Sequence, residues 1–412
     1  MSKQKKLVVI GGGAAGFFCA VTAARLAPGL KVLIVERSNK YLSKVRVSGG
    51  GRCNVTNSCD DITEMSSRYP RGSHFVRKAF HQFFTTDTIE WFQKRGVPLK
   101  AEPDGRMFPV SNTSESIVNC LVKEANQYGV ELLPGREVTD IREVNNSAVV
   151  VLKDGQELLA DFIVVACGGF PKAEQFGFLR STGHTIVPPV PSLFTFNIPD
   201  PKLTALMGVS LPSVTIKIQG SKLKQTGPLL ITHWGLSGPS VLRLSAWGAT
   251  ELAEKQYRFQ IVVNWLNEMK EEEVKQLMQS IRTANGSQKV TNQNPFRFPT
   301  RFWDYLVSEA EINAETRWAD LSAKTQNKLI QLLTAQVFTV NGKTTFKEEF
   351  VTAGGVSLKE IDVNTMQSKR MNHLYFAGEI MDVDGITGGY NFQHAWTSGY
   401  IAASAIAKAA AE

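Results

Sequence analysis

Residues 7–16 read Leu-Val-Val-Ile-Gly-Gly-Gly-Ala-Ala-Gly, an apolar strand running straight into G-x-G-x-x-G. Gly11, Gly13 and Gly16 hold the three fixed positions. Each answers a different need: Gly11 a sharp turn off the strand, Gly13 bare backbone that a pyrophosphate can approach, Gly16 close packing of the next helix on the strand. Ala14 and Ala15 open that helix, whose N-terminus offers free N–H groups and a positive dipole end. A second apolar strand, Lys31–Val35, ends in Glu36, 20 residues after Gly16. An acid there can accept both hydroxyls of an adenosine ribose. Together these features point to a dinucleotide site, with Arg37 beside the acid as a further contact.

Other stretches carry residue types suited to a bound anion or a flat ring. Ser48-Gly-Gly-Gly-Arg-Cys-Asn-Val-Thr-Asn57 places three glycines before Arg52, Cys53 and Asn54, which suits a tight, polar, ligand-facing loop. Gly51, Arg52, Cys53, Asn54 and the nearby Lys44 are therefore expected at the cofactor. A buried strand stops at Cys167-Gly168-Gly169, where a cofactor can pass without a side-chain clash. Near the far end, Leu374–Phe376 leads into Ala377-Gly378-Glu379, and Gly388-Gly389-Tyr390-Asn391-Phe392 opens a small-residue helix read over Thr397–Ala411. Glycine sites at both ends of one chain, without a second G-x-G-x-x-G, favour FAD over NAD as the resident cofactor.

Arg52, His233 and Tyr390 are the candidates for proton transfer or substrate contact. His233 sits in Leu229-Leu-Ile-Thr-His-Trp-Gly-Leu-Ser-Gly-Pro239 and can equally be a structural histidine of its loop. His394 is read as a packing or capping residue; Asp382 and Asp384 either bind flavin hydroxyls or shape their turn. Cys53 carries no sign of a lowered thiol pKa.

The elements that hold these residues follow from pattern. Residues 73–96 read as one helix anchored by aromatics, and 111–128 as a capped helix. Residues 130–166 read as a run of strands with an Asp154-Gly155 hairpin turn. Pro188-Pro-Val-Pro191 reads as a stiff connector, Val351–Val356 as a glycine turn. This gives a first part of the cofactor domain at 1–190, an inserted β-rich domain at 191–265, a helical subdomain at 266–333, return strands at 334–350 and the second cofactor part at 351–412.

The 412 residues are 43% hydrophobic and 20% charged, with net charge +8. The positive charge is scattered, with a short Lys3–Lys6 cluster at the start, so nucleic acid is not expected as a partner. Five cysteines without C-x-x-C or zinc spacing suit reduced thiols in a cytoplasmic compartment. The opening strand is too short for a signal-peptide core, and no apolar run reaches membrane length.

The four stretches Ser48–Asn57, Thr232–Pro239, Thr352–Val356 and Phe376–Asn391 resemble those of the BaiN-like or YhiN-like NAD(P)/FAD-dependent oxidoreductases, and the resemblance spans nearly the whole chain. Cys167 departs from it, a small residue such as Thr being more usual there. The resemblance implies an α/β fold: a Rossmann-like FAD domain split between both termini, with an inserted β-barrel and a small helical subdomain, related to fumarate-reductase-type flavoproteins. It further implies that Glu379 meets the ribityl chain, that Gly389, Tyr390, Asn391 and Phe392 lie at the flavin pyrimidine, and that backbone near Val138 meets the adenine. The activity it implies is NADH- or NADPH-linked reduction of a small-molecule substrate. An oxidase of a small amine or alcohol, and a flavin-bearing accessory or RNA-associated protein, remain as alternatives.

Overall fold

The computed structural model describes residues 4–144, 147–345 and 351–412. The Lys3 end of the basic cluster and residues 346–350 of the return strands lie outside the described residues. The chain divides into two compact units, one formed by Met1–Ser192 with Phe346–Glu412, the other by Leu193–Thr345.

The first unit is built on five parallel strands: β1 (Lys6–Ile10), β2 (Lys31–Val35), β3 (Glu131–Leu133), β4 (Phe162–Val165) and β5 (Leu374–Phe376), in the order β5-β4-β1-β2-β3. Continuous Val/Ile/Leu runs such as Val8–Val9 and Ile163–Val165 suit strands buried on both faces; all five of these residues are fully buried. Registry is tight: Val9 lies between Val164 and Ile34, and Val164 in turn pairs with Tyr375. The last strand of the sheet thus comes from the far end of the chain.

Two helices join the ends further. In α1 (Ala14–Leu26), Ala15 lies against α2 (Tyr390–Ala411) at Gly399, where an added Cβ would sit 2.9 Å from the Ala15 carbonyl oxygen. Only a glycine permits that approach. Phe18, Trp91 and Trp396 fill the space beside it, with ring centroids 4.7 Å and 5.3 Å from Phe18.

Four expectations change. Residues 73–96 form two helices, Ser73–Ala79 and Thr85–Gln93, because the Asp87 carboxylate accepts the Phe84 N–H at 2.7 Å and starts a new helix there. The proline stretch is no free connector: Ile186–Pro191 is a strand antiparallel to Thr352–Val356, with a register shift between Val187 and Val190 that accommodates residues lacking an N–H. Thr352–Val356, expected as a glycine turn, is therefore a strand, and it is buried throughout. The last helix also begins earlier than expected, at Tyr390.

The second unit holds a seven-stranded antiparallel sheet with edge strands Gln336–Asn341 and Lys343–Thr344. Those edges are consecutive in sequence, separated by Gly342 alone, so the sheet curls round to meet itself as a barrel. Gly342 ties the seam: its N–H donates to Tyr257 and its carbonyl accepts from Asn197, at 2.8 and 3.1 Å. Helices Glu271–Asn285, Thr300–Glu309 and Ala323–Ala335 share one core with this sheet, including Trp265, Trp303 and Trp318.

Among the described residues no helix is long and apolar enough to cross a membrane, and no cluster of potential ligands could hold a metal ion. All five cysteines are free thiols.

Candidate functional site

Parallel strands point their C-terminal ends the same way, so the turns after β1, β2, β4 and β5 gather along one edge of the sheet. After β1, the three glycines behave differently. A Cβ on Gly11 would lie 2.5 Å from the Ala166 carbonyl oxygen, and one on Gly16 would lie 1.9 Å from the Gly11 carbonyl oxygen. Both are excluded by backbone. A Cβ on Gly13 would meet nothing within 4 Å. Gly13 is the N-cap of α1, with no side-chain cap and no acid in the first turn. The cradle is thus bare, open and electropositive, as a pyrophosphate requires.

After β2, the Glu36 carboxylate accepts the N–H of Gly12 and of Ser38, both at 2.8 Å, which fixes it beside the glycine loop. Arg37 is exposed, its guanidinium 5.5 Å from the Phe170 ring centre. After β4, Gly168 takes φ +77°, and a Cβ on Gly169 would lie 2.4 Å from Thr352 Oγ1 and 3.0 Å from Glu379 Oε1. After β5, Glu379 accepts the Thr352 N–H at 2.8 Å and pairs with Lys44 at 2.7 Å. Gly168, Gly169, Lys44 and Glu379 are therefore brought together from three distant stretches. Gly378, at φ +74°, would press a Cβ 2.8 Å from that of Ala15, so it lets β5 turn against α1.

The glycine loop at 49–51 is left-handed throughout, with φ of +59°, +68° and +82°, and a Cβ on Gly50 or Gly51 would meet open space. Arg52 leaves this loop with its guanidinium 4.0 Å from the Phe108 ring centre and 2.6 Å from Glu102. With its amide oriented to satisfy both neighbours, Asn54 accepts the Gly389 N–H at 2.9 Å and donates to the Thr56 carbonyl at 3.0 Å. Asn57 donates to the Gly388 carbonyl at 3.1 Å. The 48–57 loop is thereby stitched to the turn that opens α2. Gly389 fits because a Cβ would lie 2.3 Å from the Thr56 carbonyl oxygen. No acid occupies the first turn of α2, so its positive end stays uncompensated.

The segment before that turn carries one fully buried and one half-buried acid. Asp384, fully buried, forms a two-pronged ion pair with Arg71 and accepts the Ser192 hydroxyl. Asp382 accepts the Gly354 N–H at 3.1 Å; burial, reinforced by the nearby Asp384 charge, raises its pKa against the opposing pull of Arg71. His394 is 2% exposed, and among the described residues neither ring nitrogen meets a partner at hydrogen-bonding geometry. Burial pushes its pKa down to about 4, with the Gly378 backbone opposing, so the ring is neutral at physiological pH.

Residues 5–405 match the HI0933-like protein Rossmann domain. The chain belongs to the HI0933-like family. It is 32% identical over 421 residues to the "Ribosomal RNA dihydrouridine synthase" of Haemophilus influenzae, covering 99% of this chain and 100% of that one. It is 29% identical over 418 residues to the "3-dehydro-bile acid delta(4,6)-reductase" of Clostridium scindens, covering 98% and 100%. Its fold matches the open conformation of a flavocytochrome c3 fumarate reductase at a TM-score of 0.50 and 15% identity, covering 100% of this chain and 79% of that one. The resemblance drawn from the four motifs thus stands, and this HI0933-like protein is an FAD-dependent oxidoreductase with a Rossmann-like FAD-binding fold.

FAD fits the edge described above. The Gly13 cradle and the α1 N-terminus would hold the pyrophosphate, Glu36 the adenosine ribose, Glu379 the ribityl chain, and the α2 N-terminus the flavin's electron-rich pyrimidine side. Several of the expected contact residues also have partners inside the protein. Asn391 exchanges two hydrogen bonds with Gly385, both 2.8 Å, so its side chain shapes the turn. Cys53 points its thiol into the core, fully buried, where desolvation pushes the pKa up to about 12. The Tyr390 ring folds back over Gly388, and its carbonyl accepts the Tyr69 hydroxyl at 2.6 Å. Cys167, half-buried, is likewise held as a neutral thiol by burial, with a pKa of about 12. Phe392 stacks on Trp396 at 5.8 Å and 14°. Val138 begins the strand Val138–Val144 in a separate three-stranded sheet. His233 belongs to the second unit, exposed on the turn between Lys224–Thr232 and Gly235–Ser237, its ring 4.0 Å from that of Trp234.

Sequence reasoning missed Arg71, Tyr69, Thr352 and Gln393. Gln393 is fully buried and accepts from Thr56 and Thr88 at 2.6 and 2.9 Å while donating to Thr397 at 3.0 Å. Its place four residues after Gly389, on the inward face of α2, was the available signal.

Proposed function

We propose that this protein uses NADH or NADPH to reduce a carbon–carbon double bond conjugated to a carbonyl, and that the bond is the one in the uracil ring of ribosomal RNA uridines. The observation that carries the reading is the Haemophilus influenzae relative, aligned end to end at 32% identity and named for making dihydrouridine in ribosomal RNA. The Clostridium scindens relative is named for reducing a Δ4,6 unsaturation of a 3-dehydro bile acid. Both names describe products or substrates related by two hydrogens across a double bond. Bound FAD supplies the hydride carrier. The chain's own share is to bind, orient and polarise: the N-terminus of α2 favours electron density at its end, and Gly13 and Glu36 anchor the nucleotide half. A net charge of +8 suits a polyanionic substrate better than a neutral one. This reading replaces the expectation of no nucleic-acid partner, which rested on charge pattern alone.

The Clostridium scindens relative favours a second reading, a small unsaturated ketone as substrate. One experiment separates them. The flavin-loaded protein is bleached anaerobically with NADPH or NADH, then mixed either with ribosomal RNA lacking dihydrouridine or with a conjugated steroid ketone. Flavin reoxidation by RNA, with the mass of the added hydrogens found on uridine, supports the first reading. Reoxidation by the ketone alone supports the second. If neither NADH nor NADPH bleaches the flavin, both readings are overturned.

A further inference from the structure

The first unit carries a cleft that the cofactor site does not use. It lies between the helix Ser73–Ala79 and residues 358–369, with a volume of about 580 Å³. That falls within the ~300–1,000 Å³ typical of ligand pockets. Its floor is apolar, formed by Ile361 and Val363 with the half-buried Phe75. Exposed Lys78, Lys359 and Lys369 stand around it. Among the described residues none of the three has a carboxylate within ion-pair reach; Lys369 donates to the Lys359 carbonyl at 3.1 Å. The only acid in the lining is Asp362, which accepts the Asn364 N–H at 2.8 Å. A second cleft, of about 460 Å³ around Lys94, Arg95 and Lys123, differs in that Glu90 and Glu124 pair with the first two of these cations.

We propose that the Lys78–Lys359–Lys369 cleft binds single-stranded RNA, with a base on the Phe75 face and phosphates on the lysines. An apolar, aromatic floor ringed by uncompensated ammonium groups is the arrangement that single-stranded nucleic acid uses: stacking on a ring, electrostatics along the backbone. The cleft also adjoins the cofactor segment. Gly72, in its wall, packs so closely on Val383 that a Cβ would lie 2.6 Å from the valine Cγ2, and Val383 sits between Asp382 and Asp384. RNA held here lies against the back of the 382–384 segment, which leads into the turn assigned to the flavin. The inference rests on the ribosomal RNA reading given above.

The test uses the flavin-loaded full chain and a fluorescent single-stranded oligonucleotide of ribosomal RNA sequence. Lys78→Gln/Lys359→Gln removes two phosphate contacts, which should flatten the slope of log affinity against log salt by about 1.4 and raise Kd about tenfold at 0.15 M salt. Phe75→Leu keeps the packing volume and should weaken binding with the salt slope unchanged. Lys94→Gln, in the second cleft, is the charge control and should bind as the parent does. Bleaching by NADPH should proceed at the parent rate in every variant. Parent-like affinity and slope in the double variant, or an equal loss in Lys94→Gln, would overturn the proposal while leaving the RNA reading intact if the parent still forms dihydrouridine. A parent protein that neither binds nor modifies RNA overturns both.

Discussion

Gly13 offers a separation between fold and cofactor that the other two glycines of the loop do not. Its backbone has φ −93° and ψ −168°, which alanine adopts without strain, and an added Cβ meets nothing within 4 Å. Gly13→Ala should therefore leave the flavin-free protein intact and stabilise it by about 0.4–1 kcal/mol through lost freedom in the unfolded chain. The same methyl group enters the space assigned to the pyrophosphate. FAD at a hundredfold excess over its Kd would stabilise the parent by about 2.7 kcal/mol. For a unit of this size, at ~2 °C per kcal/mol, that is a rise of roughly 5 °C in Tm. Gly13→Ala should show almost none of it. Gly16→Ala provides the contrast: its Cβ would lie 1.9 Å from the Gly11 carbonyl oxygen, so strand or helix must shift, at about 1–3 kcal/mol or more in the flavin-free state. The assay is thermal unfolding of flavin-stripped protein with and without added FAD, beside flavin absorbance per polypeptide after purification. A Gly13→Ala protein that keeps stoichiometric flavin and the full ligand shift would refute the phosphate-cradle assignment. One whose flavin-free form melts well below the parent would refute the claim that the space is open.

Other perturbations have equally definite outcomes. Arg71→Met leaves the fully buried Asp384 carboxylate without its guanidinium and should cost about 3–5 kcal/mol in urea unfolding, with Arg71→Met/Asp384→Asn recovering part of it; a single variant within ~0.5 kcal/mol of the parent would remove the pair's structural role. His394 has a folded pKa of about 4 against an ordinary 6.5, so its contribution is complete above 6.5 and is lost as pH falls toward 4. Between pH 7 and pH 5 this amounts to about 2 kcal/mol, and His394→Gln should flatten the acid limb by that much; an unchanged limb would show that the ring is protonated in the fold. Glu379→Gln removes the charge that holds Lys44 and should weaken FAD affinity, measured by fluorescence of released flavin, while Lys31→Gln, whose exposed pair with Glu131 lies along the sheet, should not.

Much of the nucleotide half was legible because it is local. Strand, glycines, helix, strand and acid occupy residues 7–36, and each signal is read from its immediate neighbours. The far-end elements were legible in kind, since Gly378-Glu379 and Gly388-Gly389 announce turns that carry no side chain. What escaped is what depends on partners far along the chain. Arg71 and Asp384 stand 313 residues apart, and nothing near Arg71 marks it for burial against a carboxylate. The proline stretch escaped for a related reason: prolines argue against a strand, and only the antiparallel partner at Thr352–Val356, with its register shift, makes one possible there. The break between Ala79 and Thr85 is a competition between propensities, decided by Asp87 capping Phe84 while Phe80 and Phe84 turn inward at 1% and 7% exposure.

The split of the cofactor domain between both chain ends follows from the sheet itself. Four of its five strands come from the first 165 residues, and they leave β4 as an edge. An exposed edge beside a glycine turn is both a pairing liability and an unfinished binding site. β5 resolves both at once. Its pairing to β4 covers the edge from Ile163 to Val165, and parallel registry delivers Gly378 and Glu379 to the same end of the sheet as Gly168 and Gly169. Once that registry is set, the glycine contact of Gly399 with Ala15 fixes where α2 lies on α1, and the hydrogen bonds from Asn54 and Asn57 fix where α2 begins. The glycine turns at 11–16, 168–169, 378 and 388–389, distant in sequence, are thereby placed by strand pairing and helix packing. A long ligand such as FAD that reached all of them would join elements aligned by the fold itself, so that its binding energy would go into affinity instead of assembly.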